Sequence, residues 1–196
     1  MRLRKDMEEH ESAMEEESDA SSQEFSYELK VPQERVAVLI GTEGNTKKLI
    51  ENLTKSKLDI SKEGDVVILG EDALLLYTAR EMVRAIGRGF NPKIAEQLIK
   101  PDYALEIIDL NVVAGKNKNM MERLKGRVIG TKGKSREEIE RLTETNISVY
   151  GKTIGIIGEI GQATLAREAV AMLVSGSMHK TVYQFLERKK KEILFG

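Results

Sequence analysis

Apolar and polar residues follow two different periods along the chain, and each change of period marks a predicted element. Residues 25–31 alternate as a half-buried strand does, whereas 33–40 and 45–56 carry apolar residues at helical spacing. Short strands are predicted at 58–60 and 66–69, and a longer helix runs from 73 to about 86, where glycines end it. This stretch therefore predicts the order strand, helix, helix, strand, strand, helix.

The same order returns in the second half of the chain. The predicted elements are a strand at 103–110, helices at 118–129 and 135–145, strands at 147–150 and 153–157, and a helix at 162–174. Two more helices are predicted, one at 92–99 between the two sets and one at 179–194 after the second set.

An internal repeat explains this recurrence. Residues 39–54 match residues 128–143 without a gap, so that Gly41 and Gly130 are equivalent positions 89 residues apart. The matched residues include Ile-Gly-Thr-x-Gly, followed six residues later by Ile-Glu-x-Leu-Thr. A period of this length is that of a small domain rather than of a solenoid unit, so we infer a tandem duplication.

The pattern as a whole predicts an α+β fold with two tandem domains, each a three-stranded sheet packed on helices. The expected division is a first domain at 25–90, a linker helix at 91–101, a second domain at 102–176 and an extra C-terminal helix at 177–196.

The formal net charge of −1 hides an uneven distribution over the 196 residues. Residues 1–24 hold three basic and nine acidic residues, whereas the remainder holds 28 basic and 23 acidic ones. The N-terminal segment is also poor in core-forming residues, so we predict an acidic, disordered tail. A second interpretation is that this tail occupies the basic surface of the body and competes with an anionic partner.

Composition excludes several kinds of site. The chain has no cysteine, which excludes disulfides, a thiol nucleophile and zinc bound by thiolates. Its two histidines, His10 and His179, are far apart in sequence, and no Ser, His and Asp set is recognisable. We therefore expect no catalytic residues, no cofactor and no metal. Since no apolar run approaches the roughly 20 residues that cross a bilayer, and no secretory leader opens the chain, we expect a cytoplasmic protein without membrane contact.

Two glycine loops carry the candidate chemistry. Gly41–Gly44 and Gly130–Gly133 each lie between two predicted helices, and Asn45 or Thr46 in the first copy and Ser135 in the second are expected to cap the helix that follows. Without a Cβ, the glycines let the backbone approach another polymer closely. The free amides at the start of the next helix favour phosphate. The alternative is that both loops are simply turns that end a helix.

The two loops differ in charge. Around the second loop lie four cations, whereas the first loop carries Glu43, which opposes phosphate. The second copy is therefore expected to hold RNA more tightly. The candidate RNA-binding residues are Arg127, Ile129, Gly130, Thr131, Lys132, Gly133, Lys134, Arg136 and Ile147 in the second copy, and Gly41, Thr42, Gly44, Lys47 and Lys48 in the first. For Ile129 and Ile147, a place in the core is the commoner alternative, and for the cations at 188–191 it is a solvated helix face.

A nucleotide-binding enzyme is the competing interpretation of the second loop. Gly133-Lys134-Ser135 looks like the end of a phosphate-binding Gly-x-x-x-x-Gly-Lys-Ser/Thr loop. However, Val128 stands where the first glycine is required, and the loop follows a helix where a nucleotide loop needs a strand. The first copy lacks the Lys-Ser pair altogether.

The element order and the paired glycine loops resemble the type I KH module, whose loop clamps the sugar-phosphate backbone of about four nucleotides. More closely, the chain resembles the Dim-two/Pno-one (partner of Nob-one) family of tandem KH proteins, in its archaeal type. This resemblance is carried by the linker 87–99, the second-copy segments 126–130, 139–143 and 154–158, and the ending 176–183.

The resemblance implies a non-catalytic factor of small-ribosomal-subunit assembly. Its expected partners are single-stranded RNA from the 3′ region of the small-subunit rRNA and the PIN-domain nuclease that makes the final 3′ cut. A general tandem-KH module for messenger or exosome-linked RNA is the alternative function. The prolines common before the Val-Tyr ending of the family are absent from 177–179 here.

Overall fold

The computed structural model describes residues 25–195, with side chains to residue 192. The tail predicted at 1–24 lies outside the described residues. The first repeat consists of β1 (Phe25–Lys30), α1 (Gln33–Ile40), α2 (Asn45–Thr54), β2 (Lys57–Ile60), β3 (Asp65–Gly70) and α3 (Ala73–Gly87). Its antiparallel sheet has the order β1-β3-β2.

The linker and the second repeat follow the same plan. The linker consists of α4 (Pro92–Ala95) and a 3₁₀ turn (Glu96–Ile99). The second repeat consists of β4 (Tyr103–Asp109), α5 (Asn111–Ala114), α6 (Lys118–Ile129), α7 (Lys134–Thr143), β5 (Asn146–Tyr150), β6 (Thr153–Glu159) and α8 (Ile160–Val174), and it is followed by α9 (His179–Phe195). Its antiparallel sheet has the order β4-β6-β5.

The predicted fold class is confirmed, since each repeat packs a three-stranded sheet on helices. Most predicted elements agree with the structure to within about two residues. The short helix α5 was not predicted, because four residues are too few to show a helical period.

The second sheet is buried on both faces. Its central strand β6 sends Ile154 and Ile156 into the core formed with α6, α7, α8 and α9. On the other face, Ile157 joins the core of the first repeat. Phe90, just before the linker, packs so closely on Gly155 that a Cβ there would lie 2.6 Å from the ring. The first repeat and linker thus cover the outer face of the second sheet.

Polar contacts stabilise the edge of this interface, both within the first repeat and across to the second. The Arg35 guanidinium donates to the backbone oxygens of Ile86 and Phe90, at 2.8 and 2.7 Å, and so fixes the end of α3. The Tyr150 hydroxyl of β5 donates to the carboxylate of Glu34 on α1. Burial, and then this hydrogen bond, raise the pKa of the Tyr150 phenol above its ordinary value. Each repeat therefore contributes a side chain to the hydrogen bond that joins them.

Candidate nucleic-acid interface

The two glycine loops have nearly the same backbone conformation. Gly41 has φ 74° and ψ 171°, and Gly130 has φ 71° and ψ 178°. The third residue of each loop, Glu43 or Lys132, is left-handed, with φ 54° or 55°, and so is the glycine after it. Each loop is a single 3₁₀ turn between two helices. The first copy therefore keeps the loop geometry of the second.

The first glycine of each loop is required for packing. A Cβ on Gly130 would lie 2.6 Å from the Cβ of Ser135, and a Cβ on Gly41 would lie 2.4 Å from the hydroxyl oxygen of Thr46. The second glycine, Gly44 or Gly133, has more open space around it, but its positive φ favours glycine. The backbone of each loop is thus in direct contact with the helix that follows it, with no side chain between them.

The predicted side-chain caps are wrong. Helix α2 begins at Asn45 and α7 at Lys134, and in each case the capping position is the second loop glycine, with no side-chain hydrogen bond to the first turn. Asn45, Thr46 and Ser135 lie inside the first turn because the 3₁₀ turn of the loop runs directly into the helix. The first-turn amides of each helix consequently have no capping side chain to accept from them, as an anion site requires.

The repeated Ile-Glu-x-Leu-Thr run is structural. Glu51 and Glu140 each accept a hydrogen bond from the backbone amide of the next strand, at 2.8 Å from Leu58 N and 2.7 Å from Ile147 N. Thr54 and Thr143 each donate to the carbonyl one turn earlier in their helix, at 2.7 Å. These contacts tie the helix after the loop to the edge strand of its sheet, which positions the loop beside that strand.

The structure separates the candidate residues of the second copy by exposure. Thr131, Lys132 and Lys134 are exposed, whereas Gly130 and Gly133 are half-buried. The side chain of Arg136 is half-exposed, and its buried Nε lies 3.6 Å from a carboxylate oxygen of Glu140.

The two isoleucines predicted to contact RNA differ in exposure. Ile129 is half-buried at the end of α6 and is therefore available to a ligand. Ile147 is 5% exposed and belongs to the core of the second repeat. Ile147 thus packs in the core, as the alternative interpretation states. Contact with RNA stays a prediction for both side chains.

Arg127 has a structural role that the sequence did not reveal. Its guanidinium donates to the backbone oxygens of Leu173 and Ser177, at 2.9 and 2.6 Å. The backbone oxygen of Arg127 in turn lies 2.8 Å from Nε2 of His179, which must therefore be the donor. Arg127 fixes the segment between α8 and α9, and its charge is held in one place beside the loop.

Replacing Arg127 by Leu is expected to cost about 1.5–3 kcal/mol of stability, because carbonyl groups lose a charged donor. The amides of α9 should also exchange faster with solvent. Urea unfolding and hydrogen exchange measure both effects.

Arg141→Leu is the matched control, since that guanidinium is exposed and pairs only with Glu138 among the described residues. Equal effects of the two substitutions, or wild-type exchange in α9 of the Arg127 variant, would contradict the structural role.

The candidate residues of the first copy are less cationic. Thr42, Glu43 and Lys48 are exposed, whereas Lys47 lies 4.0 Å from Glu51. The loop is therefore shaped like the second one, but it presents a carboxylate where the second loop presents Lys132.

The basic run near the C-terminus takes part in ion pairs. Arg188 and Lys189 lie within 4.0 Å of Glu192, and Lys190 lies 3.1 Å from Glu144 at the end of α7. These contacts agree with a charged outer face of α9.

The part of the chain that the structure describes has neither a metal-binding cluster nor a membrane-spanning helix. Between residues 25 and 195, no group of three or more His, Asp or Glu side chains is arranged to hold a metal ion. Within the same range, no helix is both long and apolar enough to span a bilayer.

Both repeats match known domain families. Residues 26–85 match the KH domain, and residues 104–191 match the eukaryotic-type KH domain of type I in the form of the second domain of PNO1. A KH domain-containing protein of Methanocaldococcus jannaschii is 50% identical over 169 residues, covering 84% of this chain and 74% of that protein. The RNA-binding protein pno-1 of Caenorhabditis elegans is 34% identical, covering 67% of this chain and 47% of that protein. This chain thus spans about half of that eukaryotic relative.

Solved structures show the same arrangement. The Dim2p crystal structure from Pyrococcus horikoshii is 43% identical, with a TM-score of 0.77, and covers 84% of this chain and 99% of that one. A second structure from the same organism is described as a complex of a/eIF2alpha, aDim2p and rRNA. Its matched chain is 43% identical, with a TM-score of 0.80, and the match covers 87% of this chain and 96% of that one.

Proposed function

The chain belongs to the PNO1/Dim2 family of tandem KH-domain proteins, and on this basis we propose that it is an assembly factor that holds single-stranded RNA from the 3′ region of the small-subunit rRNA. KH domains of this family bind RNA and are non-enzymatic. The observation that carries the proposal is the geometry of the second loop. Its two glycines leave the backbone unshielded at the uncapped start of α7, and three exposed or half-exposed cations lie beside it.

The proposed clamp uses backbone and charge together. Amides of Gly130–Gly133 and of the first turn of α7 donate to phosphate oxygens, and the positive end of the helix favours their charge. Lys132, Lys134 and Arg136 add attraction through counterion release. The loop contains no aromatic residue, so bases are held by apolar contact with Ile129 rather than by ring stacking.

The first copy acts as a weaker clamp. Its loop has the same backbone, but Glu43 repels phosphate and Lys47 is partly neutralised by Glu51. It packs on the outer face of the second sheet and extends the surface available to the strand. The division into domains at 25–90 and 102–176, joined by 91–101, forms part of this proposal.

The relatives support an rRNA target. Proteins named for pre-rRNA processing from Debaryomyces hansenii and Candida albicans are 32% identical over parts of this chain, and the Pyrococcus horikoshii complex contains rRNA. We place the chain beside the PIN-domain nuclease in the cytoplasm, where bound RNA would be kept in position for the 3′ cut.

The glycine-lysine-serine run does not favour an NTPase. In nucleotide-binding loops the run follows a strand, whereas here it follows α6 and a 3₁₀ turn.

Crosslinking of RNA to the protein in its own cells tests the proposed target. The expected result is enrichment of small-subunit rRNA near its 3′ end, with purified protein binding that sequence at least about tenfold more tightly than a shuffled strand, a difference of about 1.4 kcal/mol. Similar affinity for unrelated strands, and crosslinks spread over messenger RNA, would instead favour the general tandem-KH module.

A further inference from the structure

A cavity adjoins the second glycine loop on the side of α9. It has a volume of about 470 Å³ and lies where α6, the start of α7 and the start of α9 meet. We call it the α9 pocket, and its side-chain walls are Arg123, Arg127, Lys134, Ser135, His179 and Tyr183. Gly130 and Thr131 complete its rim, so the pocket and the glycine loop share two residues.

The α9 pocket is electropositive. Arg123, Arg127 and Lys134 contribute three cations, and no described residue that lines the pocket is acidic. Within the described part of the chain, neither Arg123 nor Lys134 has a carboxylate within 4.0 Å. Concentrated positive charge without a counter-ion is characteristic of a surface that binds an anion.

A buried hydroxyl points to the same conclusion independently of the charges. Ser135 is 3% exposed, and its hydroxyl oxygen has no hydrogen-bond partner among the described residues. Buried hydroxyl groups are normally paired, so an unpaired one at a cavity is available to donate to an oxygen that enters the cavity. Ser135 lies in the first turn of α7, whose amides are also uncapped. An acceptor with several oxygens would satisfy both.

The first repeat shows that the pocket is not a by-product of the domain fold. The positions equivalent to Arg123, Arg127 and Lys134 are Glu34, Val38 and Asn45, which are acidic, apolar and neutral. The loop conformation is nevertheless the same in both copies. The three cations therefore occur in the copy where α9 completes the pocket. They are not needed to form the loop.

We infer that the α9 pocket binds a phosphate group of the RNA strand held by the adjacent loop, as a second phosphate site of the second copy. This inference rests on the proposed function. An RNA strand is favoured over free phosphate because Gly130 and Thr131 belong to both sites, so a strand that lies along the loop passes the mouth of the pocket. The Arg123 guanidinium and the Ser135 hydroxyl donate to the oxygens of this second phosphate.

Arg123→Ala in the full chain tests the inference, since Arg123 is exposed and lies outside the loop. The probe is a single-stranded RNA with the 3′-terminal small-subunit rRNA sequence, titrated at several salt concentrations. We expect a three- to tenfold loss of affinity and a decrease of about 0.7 in the slope of log affinity against log salt, as for one lost phosphate contact. Arg167→Ala is the matched control, because Arg167 is exposed and faces Glu106 of β4.

A neutral linkage locates the phosphate itself. The probes are RNAs that each carry one uncharged methylphosphonate linkage, at a different position in each RNA. One of them should bind the wild type more weakly than the unmodified strand does. The same RNA should bind the Arg123→Ala variant as tightly as the unmodified strand does. Inorganic phosphate, followed through the Ser135 amide and the His179 ring by NMR, distinguishes the source of the anion.

The outcomes separate the two proposals. If the wild type binds RNA and Arg123→Ala matches Arg167→Ala in affinity and salt slope, the pocket does not hold the strand, and this inference is overturned. Shifts caused by inorganic phosphate alone would then identify a site for the free ion. If the wild type itself does not bind the RNA, the proposed function fails instead.

Discussion

Aspartate at both Thr131 and Lys132 is expected to lower the affinity for single-stranded RNA by about 100-fold or more. The two substitutions remove one cation and place two carboxylates where phosphate oxygens approach the loop. A like charge at about 4 Å costs roughly 1–4 kcal/mol between bulk water and a protein surface. A total near 3 kcal/mol corresponds to the stated loss, since each 1.4 kcal/mol is tenfold.

The fold should survive this double substitution, because both side chains are exposed and make no hydrogen bond within the described residues. Affinity is measured by titration with labelled RNA, and folding by circular dichroism and thermal unfolding. The comparison variant has Asp at Thr42 and Glu43, the same positions in the first loop, and it adds one carboxylate there without removing a cation. We expect that variant to change affinity by less than tenfold. Unchanged RNA binding by the folded second-loop variant would refute the proposed clamp.

Gly155→Val is expected to destabilise the protein by about 1–3 kcal/mol, the usual cost of overpacking a filled core. The reason is the contact with Phe90, whose ring atoms would lie 2.6 and 3.2 Å from a new Cβ. Phe90 is only 2% exposed and is enclosed by the core of the first repeat, so its ring has little room to move. Urea unfolding measures the loss.

A smaller partner should relieve the clash. In a double-mutant cycle with Phe90→Leu, the combined cost should be less than the sum of the two single costs, as contacting residues require. Gly161→Ala serves as the control, since a Cβ there meets no atom within 4 Å and alanine favours the helix. Additive costs at 90 and 155 would show that the contact between the repeats is not made.

Local patterns explain why most of the fold was predictable. The alternation at 25–31 and the helical spacing at 118–129 depend on neighbours in sequence, and the structure has strand Phe25–Lys30 and helix Lys118–Ile129 there. The duplication strengthened each prediction, because a pattern seen twice at a fixed distance is unlikely to arise by chance. The glycine loops were recognisable for the same reason.

Contacts between distant segments were not predictable. The sequence predicts Arg127 as a cation for RNA and gives no sign of its structural role, because its partners, two backbone carbonyls about 50 residues away, leave no trace in the sequence. Ser135 was interpreted as a helix cap, because sequence does not reveal that the 3₁₀ turn of the loop continues directly into α7.

The repeated Ile-Glu-x-Leu-Thr run carries a structural signal of its own. The Glu and Thr of the repeated run recur in both copies although neither lies in a loop, and residues kept outside the loops in both halves of a duplication indicate a shared structural task. Glu140 and Thr143 perform that task by joining α7 to β5 and completing its last turn.

Because both faces of the second sheet are covered, the chain cannot be cut between its repeats without exposing buried residues. A fragment that begins at residue 102 would leave Gly155 and Ile157 facing water, although both are buried in the whole chain. During synthesis the N-terminal repeat leaves the ribosome first, so it offers Phe90 and the linker as a finished surface before the last strands are made. Both faces of the second sheet are therefore covered only in a chain that contains the two repeats together.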